Sequence, residues 1–382
     1  TTTLSRFIEH TKQRKENTIM TVDMTTFLAQ LGNRSDQATG AVSAPIYLST
    51  TYAHPELGQS TGYDYTRTKN PTRELLESGL ATLENGARGI VTSSGMSAIA
   101  LIFELFPSGS EFLVSRDLYG GSYRFFEELQ ARQIAYFHYF NTLNELEEQI
   151  SSTIAAVFLE TPTNPLMTEI DVSAVAEIAH QVNALLIVDN TFLTPLRQKP
   201  LELGADLVLH SGTKFLTGHN DILAGVIIAK EVSLGERLTY LANSTGPTLS
   251  SFDCWLFIRS LKTLPLRFER QEQNAKEIAA FLKRQPAIKD VLYPGVGGMI
   301  SLRLKEAVKV RSFLKELSIF TFAESLGGVE SLITYPTTQT HADIPKELRE
   351  SYGLTPDLLR LSIGIENSQD LIADLTQALS YI

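Results

Sequence analysis

Two short apolar runs near the middle of the chain constrain the fold most. Ala184-Leu185-Leu186-Ile187-Val188 ends in Asp189-Asn190-Thr191, and Ala205-Asp206-Leu207-Val208-Leu209 leads through His210 to Ser211-Gly212-Thr213-Lys214-Phe215. Each run has the length and composition of a buried strand. Similar runs, Glu111–Val114, Ile154–Leu159 and Ile222–Ala229, read as further strands. Helical patterns lie among them. Pro71 opens one through Leu75, Leu76, Leu80 and Leu83, and Ala98 to Phe106 forms another. Thr142 to Glu145 has capping-box spacing before Leu146 and Ile150, and Val175, Ile178, Ala179 and Val182 make a one-sided helix. Strand and helix patterns that alternate in this way predict an α/β fold with a mostly parallel sheet flanked by helices.

Ligands of α/β proteins gather where parallel strands end. An acid, Asp189, and an amine, Lys214, leave two such ends 25 residues apart. They are placed to hold opposite ends of one flat cofactor. Pyridoxal phosphate (PLP) asks for that pairing: a lysine for its aldehyde, an acid for its ring nitrogen, and hydroxyls and N–H groups for its phosphate. Ser211 and Thr213 supply hydroxyls, and Ser94-Gly95-Met96 opens a helix with free N–H groups. Tyr65 and Arg67 point the same way from an extended segment, as a phosphate clamp or as an exposed loop. Tyr119, at a strand end, either stacks on a planar ring or covers the core. Pro162 and Pro165 forbid a helix and fix the loop that presents Asn164. Arg360 interrupts an apolar run, 359–365, and when buried needs an anion. That anion is a substrate carboxylate or a structural partner.

A chain of 382 residues exceeds one ordinary core. The expected division is a poorly ordered leader or tail (1–23), an N-terminal arm (24–62), a cofactor-binding domain (63–256) and a smaller C-terminal α+β domain (257–382). The arm alternates Thr/Ser/Gly-rich pieces with short apolar ones and suits a lie on another subunit. A formal net charge of −10 argues against nucleic acid or acidic membrane surfaces as partners. No apolar stretch reaches the roughly eighteen residues of a membrane span. Residues 1–19 carry scattered charges and no apolar secretory core. One cysteine, Cys254, rules out an internal disulfide and suits a reducing, cytoplasmic setting. Its neighbours predict a buried, inert thiol. Gly295-Val296-Gly297-Gly298 lacks the spacing of a dinucleotide fingerprint, which removes a nicotinamide enzyme. His210 and His219 have no partners at ligand spacing, so no metal is expected.

Nine segments in order resemble the Cys/Met-metabolism family of fold-type I PLP enzymes, in particular its bacterial cystathionine γ-synthase/O-acetylhomoserine thiolyase branch. They are residues 46–52, YDYTRTKNPT at 63–72, SSGM at 93–96, DLYGG at 117–121, ETPTNP at 160–165, VDNTF at 188–192, HSGTKFLTGHNDILAG at 210–225, AESLGG at 323–328 and LRLSIGIE at 359–366. The likeness runs from about Leu28 to the C-terminus. It implies a large domain with a seven-stranded-type sheet, an N-terminal arm and a smaller α+β domain. It implies that Lys214 bonds the cofactor aldehyde, that Asp189 keeps the pyridine nitrogen protonated and that Tyr119 stacks on the ring and assists proton handling. Gly95, Met96, Ser211 and Thr213 match the phosphate cup. Tyr65 and Arg67 match residues that reach the phosphate of a neighbouring subunit's cofactor, which implies a homodimer with shared sites, paired into a homotetramer. Asn164, Ser325 and Arg360 match substrate-holding positions, with Arg360 forked onto the α-carboxylate.

The resemblance also speaks to reaction type. Glu324 is an acid where similar γ-enzymes have one and β-lyases commonly have an aromatic residue. Asp64 and Arg124 match polar positions at the γ-enzyme entrance. Gly121 stands where methionine γ-lyases carry cysteine, and Gly212 where many relatives have alanine or cysteine. The expectation is γ-replacement on an O-acylhomoserine by cysteine or sulfide, giving cystathionine or homocysteine in methionine biosynthesis and transsulfuration. Cystathionine γ-lyase chemistry is the alternative, followed by cystathionine β-lyase and methionine γ-lyase. A PLP-fold binding protein without activity is the reading outside enzymes, and retained Lys214, Asp189 and Arg360 argue against it.

Overall fold

The computed structural model describes residues 22–382. The expected leader lies outside them except for Val22 and Asp23. Asp23 caps the helix Met24–Gln30 by accepting the Thr25 N–H at 2.8 Å. The arm continues to the helix Pro71–Glu84 and is pinned to the body. Trp255 Nε1 donates to the Ala44 carbonyl (2.9 Å), and the Tyr47 N–H donates to Thr72 Oγ1 (3.0 Å). Asn70 starts the helix by accepting the Thr72 N–H at 2.9 Å, while Pro71 fills a position whose N–H would have no partner.

The larger sheet has seven strands: β1 (Arg88–Thr92), β2 (Ser110–Ser115), β3 (Ala135–Phe140), β4 (Ile154–Glu160), β5 (Leu185–Asp189), β6 (Leu207–Ser211) and β7 (Gly225–Ala229). Their order is β1-β7-β6-β5-β4-β2-β3. From β6 to β3 all neighbours are parallel, and β7 runs against both β1 and β6. The central strands are apolar on both faces because both are covered. In β4, Val157 and Leu159 face one core, with Leu76, Leu80, Val175 and Ile178 of the helices Pro71–Glu84 and Val172–Gln181. Ala156 and Phe158 face the other, with Ile99, Ile102 and Phe126 of the helices Gly95–Phe103 and Gly120–Ala131. Phe103, Phe112, Phe126, Phe137 and Phe158 interlock there, Phe126 stacked on Phe137 at 4.4 Å. Each fully buried ring contributes on the order of 1.5–3 kcal/mol.

The smaller sheet contains β8 (Ile288–Leu292), β9 (Met299–Leu304), β10 (Thr321–Phe322), β11 (Leu332–Thr334) and β12 (Leu358–Ser362), in the order β10-β11-β12-β9-β8. Only the β10–β11 pair is parallel. Its inner face packs Ile300, Leu302, Leu359 and Leu361 against the helices Leu264–Leu282, Val310–Glu316 and Ser368–Leu379.

The expected break between residues 256 and 257 falls inside the helix Ser251–Leu261. Phe257, Ile258, Leu261, Leu264 and Phe268 still belong to a core of the larger sheet, whereas Ala275, Ile278 and Leu282 belong to the smaller one. The change of core therefore lies within the helix Leu264–Leu282. Gly246 ends the helix Val232–Thr245 in the left-handed conformation.

Candidate active site

β1, β2, β4, β5 and β6 all run in one direction, so their C-terminal ends share a rim. A cavity of about 320 Å³ opens at this rim. Its wall includes Gly95, Met96, Tyr119, Asn164, Asp189, Ser211, Thr213 and Lys214 from the larger domain, and Glu324, Ser325 and Arg360 from the smaller one. Residues expected to act together from seven separate segments thus meet in one space.

Glu160 and Asp189 are the last residues of neighbouring strands and stand side by side in register. The Thr191 N–H and hydroxyl both donate to Asp189 Oδ1, at 3.0 and 2.5 Å, and Thr191 Oγ1 accepts the Ser211 N–H at 2.8 Å. One threonine therefore ties the acid to the serine of the next strand. Burial pushes the Asp189 carboxyl up, while the Thr191 hydrogen bonds and His210 oppose this. Glu160 is raised well above the usual carboxylate range, by burial first and then by the charge of Asp189. Two carboxyls this close cannot both ionise easily, and the Asp189 charge weighs on Glu160.

Ser94 caps the helix Gly95–Phe103 by accepting the Ser97 N–H at 3.0 Å. The helix start approaches Ser211 so closely that a Cβ at residue 95 would lie 3.1 Å from both Ser211 Cβ and Oγ. Glycine leaves that cradle open and its N–H groups free for an anion. The Thr213 hydroxyl accepts the Ala224 N–H at 3.0 Å and gives its proton to the Ala224 carbonyl over a long 3.3 Å.

Lys214 Nζ donates to Ser325 Oγ at 3.0 Å. Burial, reinforced by the Arg360 charge, lowers its pKa to about 8, with Glu324 opposing. Arg360 is fully buried in the middle of β12. Its Nη1 donates to Asn164 Oδ1 (2.8 Å), and its Nη2 to the Ser325 carbonyl (2.9 Å) and Thr334 Oγ1 (3.2 Å). These partners are neutral, and Nε has none. Burial brings the guanidinium down to about 10, with Glu160 opposing most. Of the two readings of Arg360, the donor set favours an anion that arrives in the cavity.

Four expected residues stand elsewhere. Tyr65 is exposed with the Arg67 guanidinium 5.6 Å over its ring, and Arg67 Nη1 bonds Asn243 through both carbonyl and side chain. The two do share a face, away from this chain's own cavity. Asp64 accepts the Ser60 hydroxyl at 2.6 Å, and Arg124 pairs with Asp343 at 2.6 Å on the surface. Neither lines the cavity in the single chain. Sequence reasoning passed over Glu160, Thr191, Phe192, Leu223 and Thr340, which do line it. Glu160 ends a predicted strand just as Asp189 does, and that position was its signal.

These groups fit pyridoxal phosphate. An amine, a buried acid, an aromatic ring, an open helix N-terminus with flanking hydroxyls and an unsatisfied guanidinium face one cavity.

A family model described as Cys/Met metabolism PLP-dependent enzyme matches residues 25–380. The chain is 55% identical over 365 residues to a Bacillus subtilis cystathionine γ-synthase/O-acetylhomoserine (thiol)-lyase, covering 95% of this chain and 98% of the relative. It is 45% identical to a Bacillus subtilis cystathionine γ-lyase, covering 94% of this chain and 99% of that one. The crystal structure of cystathionine γ-synthase from Xanthomonas oryzae pv. oryzae, in complex with aminoacrylate and cysteine, superposes with a TM-score of 0.92 at 40% identity, over 94% of this chain and 98% of the other.

Proposed function

The chain belongs to the Cys/Met-metabolism family of PLP-dependent enzymes, and from that premise we propose that it replaces the acyl group of an O-acylated homoserine by a thiol. With cysteine the reaction gives cystathionine and the free carboxylic acid, and with sulfide it gives homocysteine. The observation that carries this reading is the smaller domain's wall, where Glu324, Ser325 and Arg360 face Lys214 across one cavity. Likeness to a relative named for this activity supports it.

Bound pyridoxal phosphate supplies an electron sink for charge released when a bond at Cα breaks. Lys214 would bond its aldehyde, Asp189 would pair with its ring nitrogen, and Tyr119 would pack on its ring. Gly95, Met96, Ser211 and Thr213 receive the phosphate. Arg360 takes the substrate α-carboxylate with its free guanidinium edge, and Asn164 fixes the guanidinium in plane. The Lys214 amine, when free, would take the proton from Cα and handle protons at Cβ. A pKa brought down to about 8 leaves a usable neutral fraction near pH 7. Glu324 offers an ion-pair partner to the ammonium of incoming cysteine. Tyr65 and Arg67 serve the phosphate in a neighbouring subunit of a shared-site dimer.

The test is a steady-state panel of O-acetylhomoserine, O-succinylhomoserine and cystathionine, each with and without cysteine or sulfide. The proposal expects an acylhomoserine and thiol to give the fastest turnover. Turnover of cystathionine alone, with neither acylhomoserine reacting, would place the chain in the elimination direction, as a γ-lyase.

A further inference from the structure

His341 is fully buried in the stretch between β11 and the helix Lys346–Ser351 of the smaller domain. Its Nε2 lies 3.2 Å from the Leu118 carbonyl and 3.0 Å from the Asn164 carbonyl, both in the larger domain. Carbonyls only accept, so Nε2 carries the hydrogen and donates to both. Nδ1 lies 2.8 Å from Thr340 Oγ1 and accepts that hydroxyl in the neutral ring. Burial, with Arg360 nearby, pushes the imidazole down to about 4, so the ring is neutral at ordinary pH.

The two carbonyls bear directly on the cavity. The Leu118 carbonyl and the Tyr119 N–H belong to one peptide group, and that N–H donates to Glu160 Oε2 at 3.0 Å. His341 and Glu160 thus clamp both ends of the Leu118–Tyr119 peptide, which sets where the Tyr119 ring leaves the backbone. The second carbonyl belongs to Asn164, whose side chain receives Arg360. Backbones also meet here, since a Cβ at Gly120 would come 2.1 Å from the Thr340 carbonyl oxygen. We infer that His341 is a positioning residue, a pin from the smaller domain that holds Tyr119 against the cofactor ring and Asn164 against Arg360. This rests on the cofactor and substrate roles proposed for those two residues.

The test uses two substitutions of similar bulk. His341→Gln keeps a donor where Nε2 stands, whereas His341→Asn places its amide near the Nδ1 position and leaves both carbonyls without a donor. Readouts are the dissociation constant for pyridoxal phosphate, the visible circular dichroism of the bound cofactor, and kcat and KM. His341→Asn should weaken cofactor binding roughly tenfold, the scale of one or two lost hydrogen bonds. It should also reduce the dichroism band and raise KM. His341→Gln should stay within about threefold of the parent on the same scale. Two variants that behave alike, or a lower melting temperature with unchanged cofactor binding and dichroism, would overturn the pin. Tyr119→Ala and Asn164→Ala run in parallel. If both leave dichroism and KM unchanged, the roles proposed for them fail and the pin falls with them; if they respond and His341→Asn does not, the pin alone falls.

Discussion

The larger sheet delivers Glu160, Asp189 and Ser211 as the final residues of three neighbouring parallel strands. The smaller sheet delivers Arg360 from the middle of a strand that is antiparallel to both its neighbours. Parallel strands that end together create a shared rim, where polar side chains from several strands gather. An antiparallel sheet has no common end. Besides the loop residues Glu324 and Ser325, it faces the cavity with a buried mid-strand side chain, which calls for a partner that binds. The first wall is therefore suited to keep a resident group, and the second to recognise a visitor.

Substitutions across the two walls test that division. Lys214→Ala should lower kcat by about four orders of magnitude, since it removes both the covalent link and the proton carrier. Arg360→Lys should leave cofactor affinity within about threefold while raising KM for the amino-acid substrate on the order of a hundredfold, because an ammonium cannot fork onto a carboxylate. Equal loss of cofactor in both variants would erase the distinction.

A smaller effect is expected in the cofactor-free chain. The Lys214 pKa is about 8 in the fold against 10.5 for an unperturbed lysine. Below pH 8 both folded and unfolded states carry the proton, and the fold bears the full cost of the buried ammonium. Between 8 and 10.5 the folded state loses the proton first, so stability rises with pH. Lys214→Met should therefore stabilise the cofactor-free chain at pH 7 by about 3 kcal/mol, a gain that vanishes by roughly pH 10.5. Urea unfolding at several pH values measures it, and a gain independent of pH would contradict the buried-charge account.

The smallest effect separates the thiols. Glu324→Gln should raise KM for cysteine about tenfold and leave sulfide almost untouched, since only cysteine brings an ammonium group. Equal changes for both would remove Glu324 from nucleophile recognition.

The first wall was far more legible in the sequence than the second. Val157 to Leu159 and Leu186 to Val188 are continuous apolar runs because helices cover both faces, and their polar ends stand out. β3, Ala135–Phe140, escaped notice because an edge strand mixes exposed Tyr136 and His138 with buried Phe137. The helix Gly120–Ala131 escaped because it opens on Gly-Gly with no capping side chain. Strand direction is not written in periodicity, so the reversal of β7 had no local signal. Arg360 was visible as a charge inside an apolar run, but its neutral partners Asn164 and Thr334 come from distant segments. Thr340 and His341 carry no motif of their own, and their importance arises only when the two domains meet.

The reversal of β7 bears on Lys214 itself. A parallel neighbour after β6 would have needed a crossover along the back of the sheet to start again at the opposite edge. Here Ser211 and Gly225 face each other as the last pair of the ladder, so the chain turns around in place. Residues 212–224 make that turn, with Thr213, Lys214 and Leu223 on the cavity lining and Phe215, Leu216 and Ile222 in the core beneath. The Lys214 amine thus stands on a bend anchored at both feet by adjacent strands.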